Sequence, residues 1–260
     1  MKKELFNGLP LWQFDILKNQ THFVTSRHGG ISPSPFDGLN LSKSAGDSLD
    51  NVFENRRLLA QSIGLEADDL VFVNQCHSAE IAIITEKSDP KQAIEADAMV
   101  TNLLGLCICV MGADCVPVLI YDPVRKVVAA VHAGWKGTVA SILSKTLEKM
   151  HVIYGSQFAD LIVAIGPSIS QAKYEVGEEV YLKFKEAFGQ EIEPIFKHDK
   201  TTNKYFPDLW LANKMQALKL GVLEKNIEIA EICTYSNPDE FFSARYFQNK
   251  TGRFAAGIVL

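Results

Sequence analysis

Cys115 stands just before the apolar run 116–121, His132 just after the run 127–131, and His77 ends the stretch DLVFVNQCH. One thiol and two imidazoles make a recognised zinc set. When a protein supplies only three ligands, the fourth position stays open to water or substrate, the arrangement of a catalytic metal rather than a structural one. The same residues admit two other readings. Cys115 and His132 could be a nucleophile and its base, with Gln75 as oxyanion donor, in a cysteine hydrolase or amidase. All three could equally be packed core residues, a small hydrophobe and two satisfied histidines. Separations of 38 and 17 positions match no short metal-binding motif, so the spacing leaves these readings side by side. Asp114, next to Cys115, is the candidate carboxylate for moving a proton; a loop aspartate accepting backbone hydrogen bonds is the plainer alternative.

Local elements must bring these groups together. Runs 116–121 and 127–131 are rich in β-branched residues, and Asp122-Pro123 with Arg125-Lys126 is turn chemistry, so the unit reads as a β-hairpin. A turn centred near Val124 places Val116 opposite His132 and Cys115 within the ~5 Å of cross-strand neighbours. Strand alternation turns Cys76 away if His77 faces the site. After His132, AGWKG leads to a helix expected to begin near Thr138, which offers free N–H groups to an anion; Gly134 and Gly137 could instead serve only a tight turn. Arg27, on the Gly-rich TSRHGGIS, and Arg245, in SARYF, are the arginines that could fork onto a phosphate.

Further strands are expected at DLVFVNQCH, LCICVMGADC, LIVAIGP and RFAAGIVL. Helices are expected at TVASILSKTLEKM, GEEVYLKFKEAF and DLWLANKMQALKLG, the last with Asp208 as N-cap and Gly221 as C′ residue. Interleaved strands and helices with a hairpin indicate an α+β fold of mixed sheets packed between helices. No strand runs into a GxGxxG or GxxxxGK[ST] loop, which argues against a doubly wound fold. No linker divides the chain, so residues 1–260 are expected to form one domain. With 47% hydrophobic residues the chain can bury a substantial core.

A net charge of −5 with scattered lysines and arginines argues against a nucleic-acid or anionic-membrane partner and for a small-molecule substrate. The longest apolar run, LLGLCICVMGA, is too short to span a bilayer, and the N-terminus lacks the apolar core of a signal peptide. Five cysteines, odd in number and mostly within apolar segments, suit a reducing, cytoplasmic setting. A multicopper laccase needs many histidines; this chain has six and no His-x-His pair.

Taken in order, TSRHGGIS, LNLS, NQCHSAEI, ADAMVT, GADCVPVLIYD, VHAGWKG, AIGPSI…YEVGEEV and CTYSNPDEFFSAR…TGR resemble the bacterial YfiH-like family, also called laccase-domain or polyphenol-oxidase proteins. The resemblance covers nearly the whole chain. It implies a layered α/β/β/α fold, zinc on His77, Cys115 and His132, and purine nucleoside phosphorolysis. The expected substrates are adenosine, inosine and methylthioadenosine with phosphate, and adenosine deamination is a second activity. With these come Arg27, Asn40, Lys136 and Arg245 as expected substrate and phosphate contacts. The chain departs from the family pattern at Cys76, Ser78, Lys136 and Tyr246; Lys136 cannot reproduce a bidentate guanidinium contact. Copper in place of zinc with a polyphenol-oxidase activity, and a metal-stabilised binding module without catalysis, are the other readings of the same motifs.

Overall fold

The computed structural model describes residues 1–86 and 94–260. The chain begins with β1 (Lys2–Phe6), β2 (Leu9–Gln13) and β3 (His22–Thr25), followed by helix α1 (Leu49–Ser62) and β4 (Leu70–Phe72). The strands β5 (Ile81–Ile83), β6 (Ala98–Thr101), β7 (Cys107–Gly112), β8 (Val116–Asp122) and β9 (Val127–Ala133) come next. Helices α2 (Trp135–Val139) and α3 (Ile142–Tyr154) precede β10 (Ile162–Ile165) and α4 (Glu178–Phe188). The chain closes with β11 (Phe196–Asp199), β12 (Lys204–Pro207), α5 (Leu209–Lys219), β13 (Ile227–Ile229) and β14 (Phe254–Val259).

Two mixed six-stranded sheets result, β1-β2-β3-β14-β7-β4 and β13-β10-β8-β9-β6-β5, with β11 and β12 as a separate hairpin. Strand alternation assigns each sheet two buried faces. From β8 and β9, Val116, Val118, Ile120, Val127, Ala129 and Val131 pack with Ile142, Leu147 and Met150 of α3. Their neighbours Leu119, Val128 and Ala130 meet Ile108, Val110, Ala256 and Ile258 of the other sheet. On that sheet's far side, Cys107 and Cys109 lie in one cluster with Leu59 and Ala60 of α1. The order is therefore helix, sheet, sheet, helices, the α+β layering expected, and the central strands β7, β8, β9 and β14 are buried on both faces.

The hairpin forms, but its register is one residue off the expectation: Val116 pairs with Ala133, and His132 lies opposite Pro117. Asp122 pairs with Val127 across a four-residue loop in which Lys126 takes a left-handed φ of 55°. The Asp122 carboxylate accepts from the N–H groups of Val124 and Arg125, both at 2.9 Å. The helix expected near Thr138 is two helices, broken where Ser141 adopts φ 59°. The stretch before His77 is strand only to Phe72. Helix α5 starts as expected, with Asp208 accepting from Leu211 N at 3.0 Å, and Gly221 follows in the left-handed conformation at φ 99°. Among the described residues no helix is long and apolar enough to cross a membrane.

Candidate metal centre and its cleft

All three candidate ligands lie on or beside passages between the sheets. Cys115 sits on the link from β7 to β8, which crosses from one sheet to the other, and His77 lies on the connection from β4 to β5, which does the same. His132 is the penultimate residue of β9, on the strand face that Val128 and Ala130 turn toward the opposite sheet. One ligand atom from each lies within 4.8 Å of the others. The Cys115 Sγ to His77 Nε2 distance is 3.9 Å, and the two imidazoles meet edge to face at 4.9 Å.

Asp97, fully buried just before β6, organises this centre. Its carboxylate lies 2.8 Å from His132 Nδ1, which leaves Nε2 for a ligand. The same carboxylate accepts from the backbone N–H of His77 at 3.0 Å and of Ser78 at 2.6 Å, and from the Ser78 hydroxyl at 2.8 Å. It also takes the Cys76 N–H at 3.3 Å, while the Asp97 carbonyl accepts from His132 N at 2.7 Å. One carboxylate thus fixes both histidines: one through its ring, the other through the turn that carries it. That turn needs fixing, because His77 has a positive φ of 60°, a conformation unfavourable for a residue with a β-carbon.

The electrostatics favour a cation. Burial pushes the Cys115 thiol up, but the facing His132, and His77 beside it, outweigh burial and bring it down to about 6. Burial pulls His132 down, and Cys115 and Asp97 outweigh it, raising the imidazole to about 9. Asp97 is destabilised as a charge by burial, yet its bonds to His132 and Ser78 hold it well below the usual carboxylate range. A thiolate and a carboxylate therefore surround a spot that retains positive charge. Space is reserved there as well. A β-carbon on Gly134 would stand 3.0 Å from Cys115 Sγ and 3.3 Å from His77 Cδ2, so a side chain would press on the ligands. The set of one soft sulfur and two imidazoles, room around them and a carboxylate behind one ring is what a zinc or copper ion requires.

The centre forms one end of a cleft of about 450 Å³, which His77, Cys115 and His132 line together with Ser42, Lys43, Arg56 and Arg253. Among the described residues no carboxylate lines it. The expected contacts Arg27, Asn40, Lys136 and Arg245 are not among its lining residues. Arg27 donates to the Pro238 carbonyl at 2.8 Å and is sandwiched between Phe242 and Phe247 at 5.2 and 5.1 Å. Arg245 donates twice to the Glu175 carbonyl and covers the Tyr174 ring. Lys136 is exposed over Trp135. Asn40 is fully buried, and its Oδ1 accepts from the backbone N–H of Ser42 and of Arg253, so it acts one step away, through Arg253.

Asp114 likewise has its carboxylate committed: it accepts from the Thr234 hydroxyl at 2.6 Å and Arg245 N at 2.7 Å. It anchors the loop behind Cys115, the plainer of its two readings. Gln75 donates from Nε2 to the Met111 carbonyl at 2.8 Å and accepts from Met111 N at 2.7 Å, which fixes its amide at the edge of the cleft. Cys76 is exposed with Sγ 3.5 Å from Asp97, outside the ligand cluster. The strand argument for excluding it does not apply, since residues 76 and 77 lie on a turn.

Reasoning from the sequence missed Asp97, Lys43, Arg56 and Arg253. Asp97 and Arg253 lie in the quoted motifs ADAMVT and TGR, and Lys43 follows LNLS directly. Arg56 lies on α1, a helix left unrecognised because its buried face carries Asn55 and Ser62 among Val52, Leu59 and Ala60.

Comparison with known proteins identifies the chain's relatives. Chain residues 21–260 match the family described as multi-copper polyphenol oxidoreductase laccase. A purine nucleoside phosphorylase of Bacteroides thetaiotaomicron is 41% identical over 249 residues, covering 93% of this chain and 92% of the relative. Adenosine deaminase RL5, from an unknown prokaryotic organism, is 36% identical over 91% of this chain and 92% of its own. The crystal structure of the Bacillus licheniformis hypothetical protein YfiH superposes with a TM-score of 0.91 at 31% identity, over 97% of this chain and 96% of that one. On sequence and architecture together, the chain belongs to the multi-copper polyphenol oxidoreductase laccase family, whose YfiH-like branch its motifs resemble.

Proposed function

We propose that this protein is a cytoplasmic, zinc-dependent purine nucleoside phosphorylase that also deaminates adenosine. The observation that carries the reading is a three-donor metal centre opening into a cleft whose charged side chains are cationic. The relatives named for phosphorolysis and for adenosine deamination support it. In phosphorolysis the glycosidic C1′–N bond breaks, a C1′–O bond forms to phosphate, and the base leaves with a proton. In deamination water replaces the C6 amino group, giving inosine and ammonia. Inosine, adenosine and methylthioadenosine are the proposed substrates.

His77, Cys115 and His132 would hold the ion. When bound, zinc supplies Lewis acidity, polarising an oxygen and drawing the pKa of a water toward neutrality. Asp97 keeps His132 in one tautomer and locks the His77 turn, so the donors are aimed before the ion arrives. Arg253 and the Arg56–Lys43 pair supply the positive potential that an incoming anion meets. Zinc is preferred to a multicopper assembly on donor count: the described residues hold one cluster of three metal donors, whereas a laccase needs a blue-copper site and a trinuclear cluster.

A cysteine hydrolase built on the Cys115–His132 pair is the second reading, favoured by the thiol pKa of about 6. Alkylation separates the two. Slow iodoacetamide reaction of Cys115 that accelerates on metal removal supports the metal centre, and fast, metal-independent reaction supports the nucleophile.

The main test is product analysis of inosine turnover. Base release that requires phosphate, saturates with it and yields ribose 1-phosphate is expected. Phosphate-independent release with free ribose would reject phosphorolysis.

A further inference from the structure

We propose that Arg56, Lys43 and Arg253 form an oxyanion cradle that holds inorganic phosphate beside the metal centre, an assignment that rests on the phosphorylase reading. All three side chains line the cleft that contains His77, Cys115 and His132, and among the described residues no carboxylate lines it with them. None has an ion-pair partner among the described residues, whereas Arg27 faces Asp37 at 3.6 Å. Three cations that share a cavity without an ion-paired carboxylate, with only the more distant Cys115 and Asp114 charges acting on Arg253, leave a place for a ligand's negative charge.

The arginines are held as a receptor would hold them. Arg56 donates Nε and Nη2 to the Leu41 carbonyl at 3.0 and 2.7 Å and lies on the Phe72 ring at 3.8 Å, so its plane is fixed while Nη1 is left over. Arg253 commits Nη1 to the carbonyls of Thr251 and Gly252, both at 2.9 Å, which leaves Nε and Nη2. Its backbone N–H is held by Asn40 at 3.0 Å, and Asn40 in turn donates to Asp47 at 3.0 Å. A fixed guanidinium loses little entropy on gripping an oxyanion. Lys43 is the third member, exposed and resting 4.8 Å above the Phe53 ring.

Electrostatics agree with the geometry. Burial brings the Arg56 guanidinium down to about 10, and burial with the nearby Arg56 charge lowers Lys43. Burial is the larger cause of both shifts, and a bound anion would oppose it. Arg253 lines the same cleft as His77, Cys115 and His132, so the cradle opens onto the metal centre. Ser42, Gln75 and Gly112 line the same cleft.

The test is isothermal titration of inorganic phosphate into the metal-loaded protein, paired with the KM for phosphate in inosine cleavage. Lys43→Gln and Arg253→Gln should each weaken phosphate binding about tenfold or more, the loss of a charge-assisted hydrogen bond, and raise the KM for phosphate in parallel. Lys136→Gln, outside the cleft, should keep the parent affinity. Should Arg253→Gln fail to fold, Arg253→Lys replaces it, with intermediate affinity expected from a point charge in place of a fork. Parent-like phosphate binding in both Lys43→Gln and the Arg253 variant would overturn the cradle, as would a loss confined to Lys136→Gln. Tighter binding of adenosine 5′-monophosphate than of phosphate, lost in the same variants, would overturn inorganic phosphate as its ligand in favour of a nucleotide phosphoryl group. Failure of the phosphorylase reading looks different: cleavage would proceed without phosphate while the variants still lost phosphate binding.

Discussion

At the scale of single residues, Asp97 determines more of the candidate site than any ligand does. A buried carboxylate that accepts from an imidazole and from three successive N–H groups couples the aim of one histidine to the shape of the turn bearing the other. Asp97→Asn keeps the volume but presents an amide where His132 and the Ser78 N–H need acceptors. Zinc affinity should therefore fall by roughly 10–100-fold, measured by competition with a chromogenic chelator, with the fold retained by circular dichroism. Unchanged affinity would mean that the ligands hold themselves. Cys76→Val makes the contrasting case, because Cys76 lies outside the donor cluster: full zinc occupancy is expected. Gly134→Val should lose zinc for a third reason, the intrusion of a side chain onto Sγ and the His77 ring.

At the scale of elements, legibility followed burial chemistry. Strands whose two faces are both apolar, β7 to β10 and β14, were readable as β-branched or small apolar runs, and α5 was readable from its caps. The slip in the β8–β9 register was not readable, because the loop residue in left-handed conformation is Lys126, and no glycine or asparagine marks it. Such a slip would ordinarily reverse inward and outward faces; here it decides that His132 faces the other sheet. Helix α1 and strand β3 were missed for the opposite reason, polar residues at packed positions, and β1 because it is almost wholly exposed. His22 of β3 is such a residue, 2% exposed, accepting from Phe14 N at 2.8 Å and paired with the Gln20 carbonyl at 2.7 Å. Burial, outweighing the Gln20 and Glu228 contributions, lowers its pKa from 6.5. The unfolded chain then binds more protons than the native one below that pH. His22 therefore costs nothing above about pH 6.5, and stability declines as pH falls through that value toward the folded pKa. Urea midpoints between pH 7.5 and 5 should fall more steeply for the parent than for His22→Gln; parallel curves would remove His22 as the cause. The break between α2 and α3 is a second element-level site: Ser141→Gly relieves a left-handed residue and should leave stability unchanged or raise it by up to about 1 kcal/mol in thermal unfolding.

At the scale of the whole molecule, the donors sit where the chain passes between sheets. Cys115 belongs to the β7–β8 crossing, His77 to the β4–β5 crossing, and His132 to the second sheet. An ion on all three would tie two layers together at one end of the core between them, so its binding is coupled to the integrity of the whole fold and not to a local loop. The unfolded chain holds these residues 38 and 17 positions apart and has no comparable site. Under mass action, zinc at about 1,000 times its dissociation constant should stabilise the protein by roughly 4 kcal/mol. For a chain of this size that is a rise in Tm of several degrees or more. Cys115→Ser should abolish the rise while leaving the Tm of the metal-free protein near that of the metal-free parent, because Cys115 is only part-buried and serine is smaller. Differential scanning calorimetry of both proteins, with chelator and with zinc, checks the coupling. A zinc-induced rise that persists in Cys115→Ser would place the stabilising ion elsewhere; zinc binding to the parent with no rise in Tm would show that the two sheets hold together independently of the centre between them.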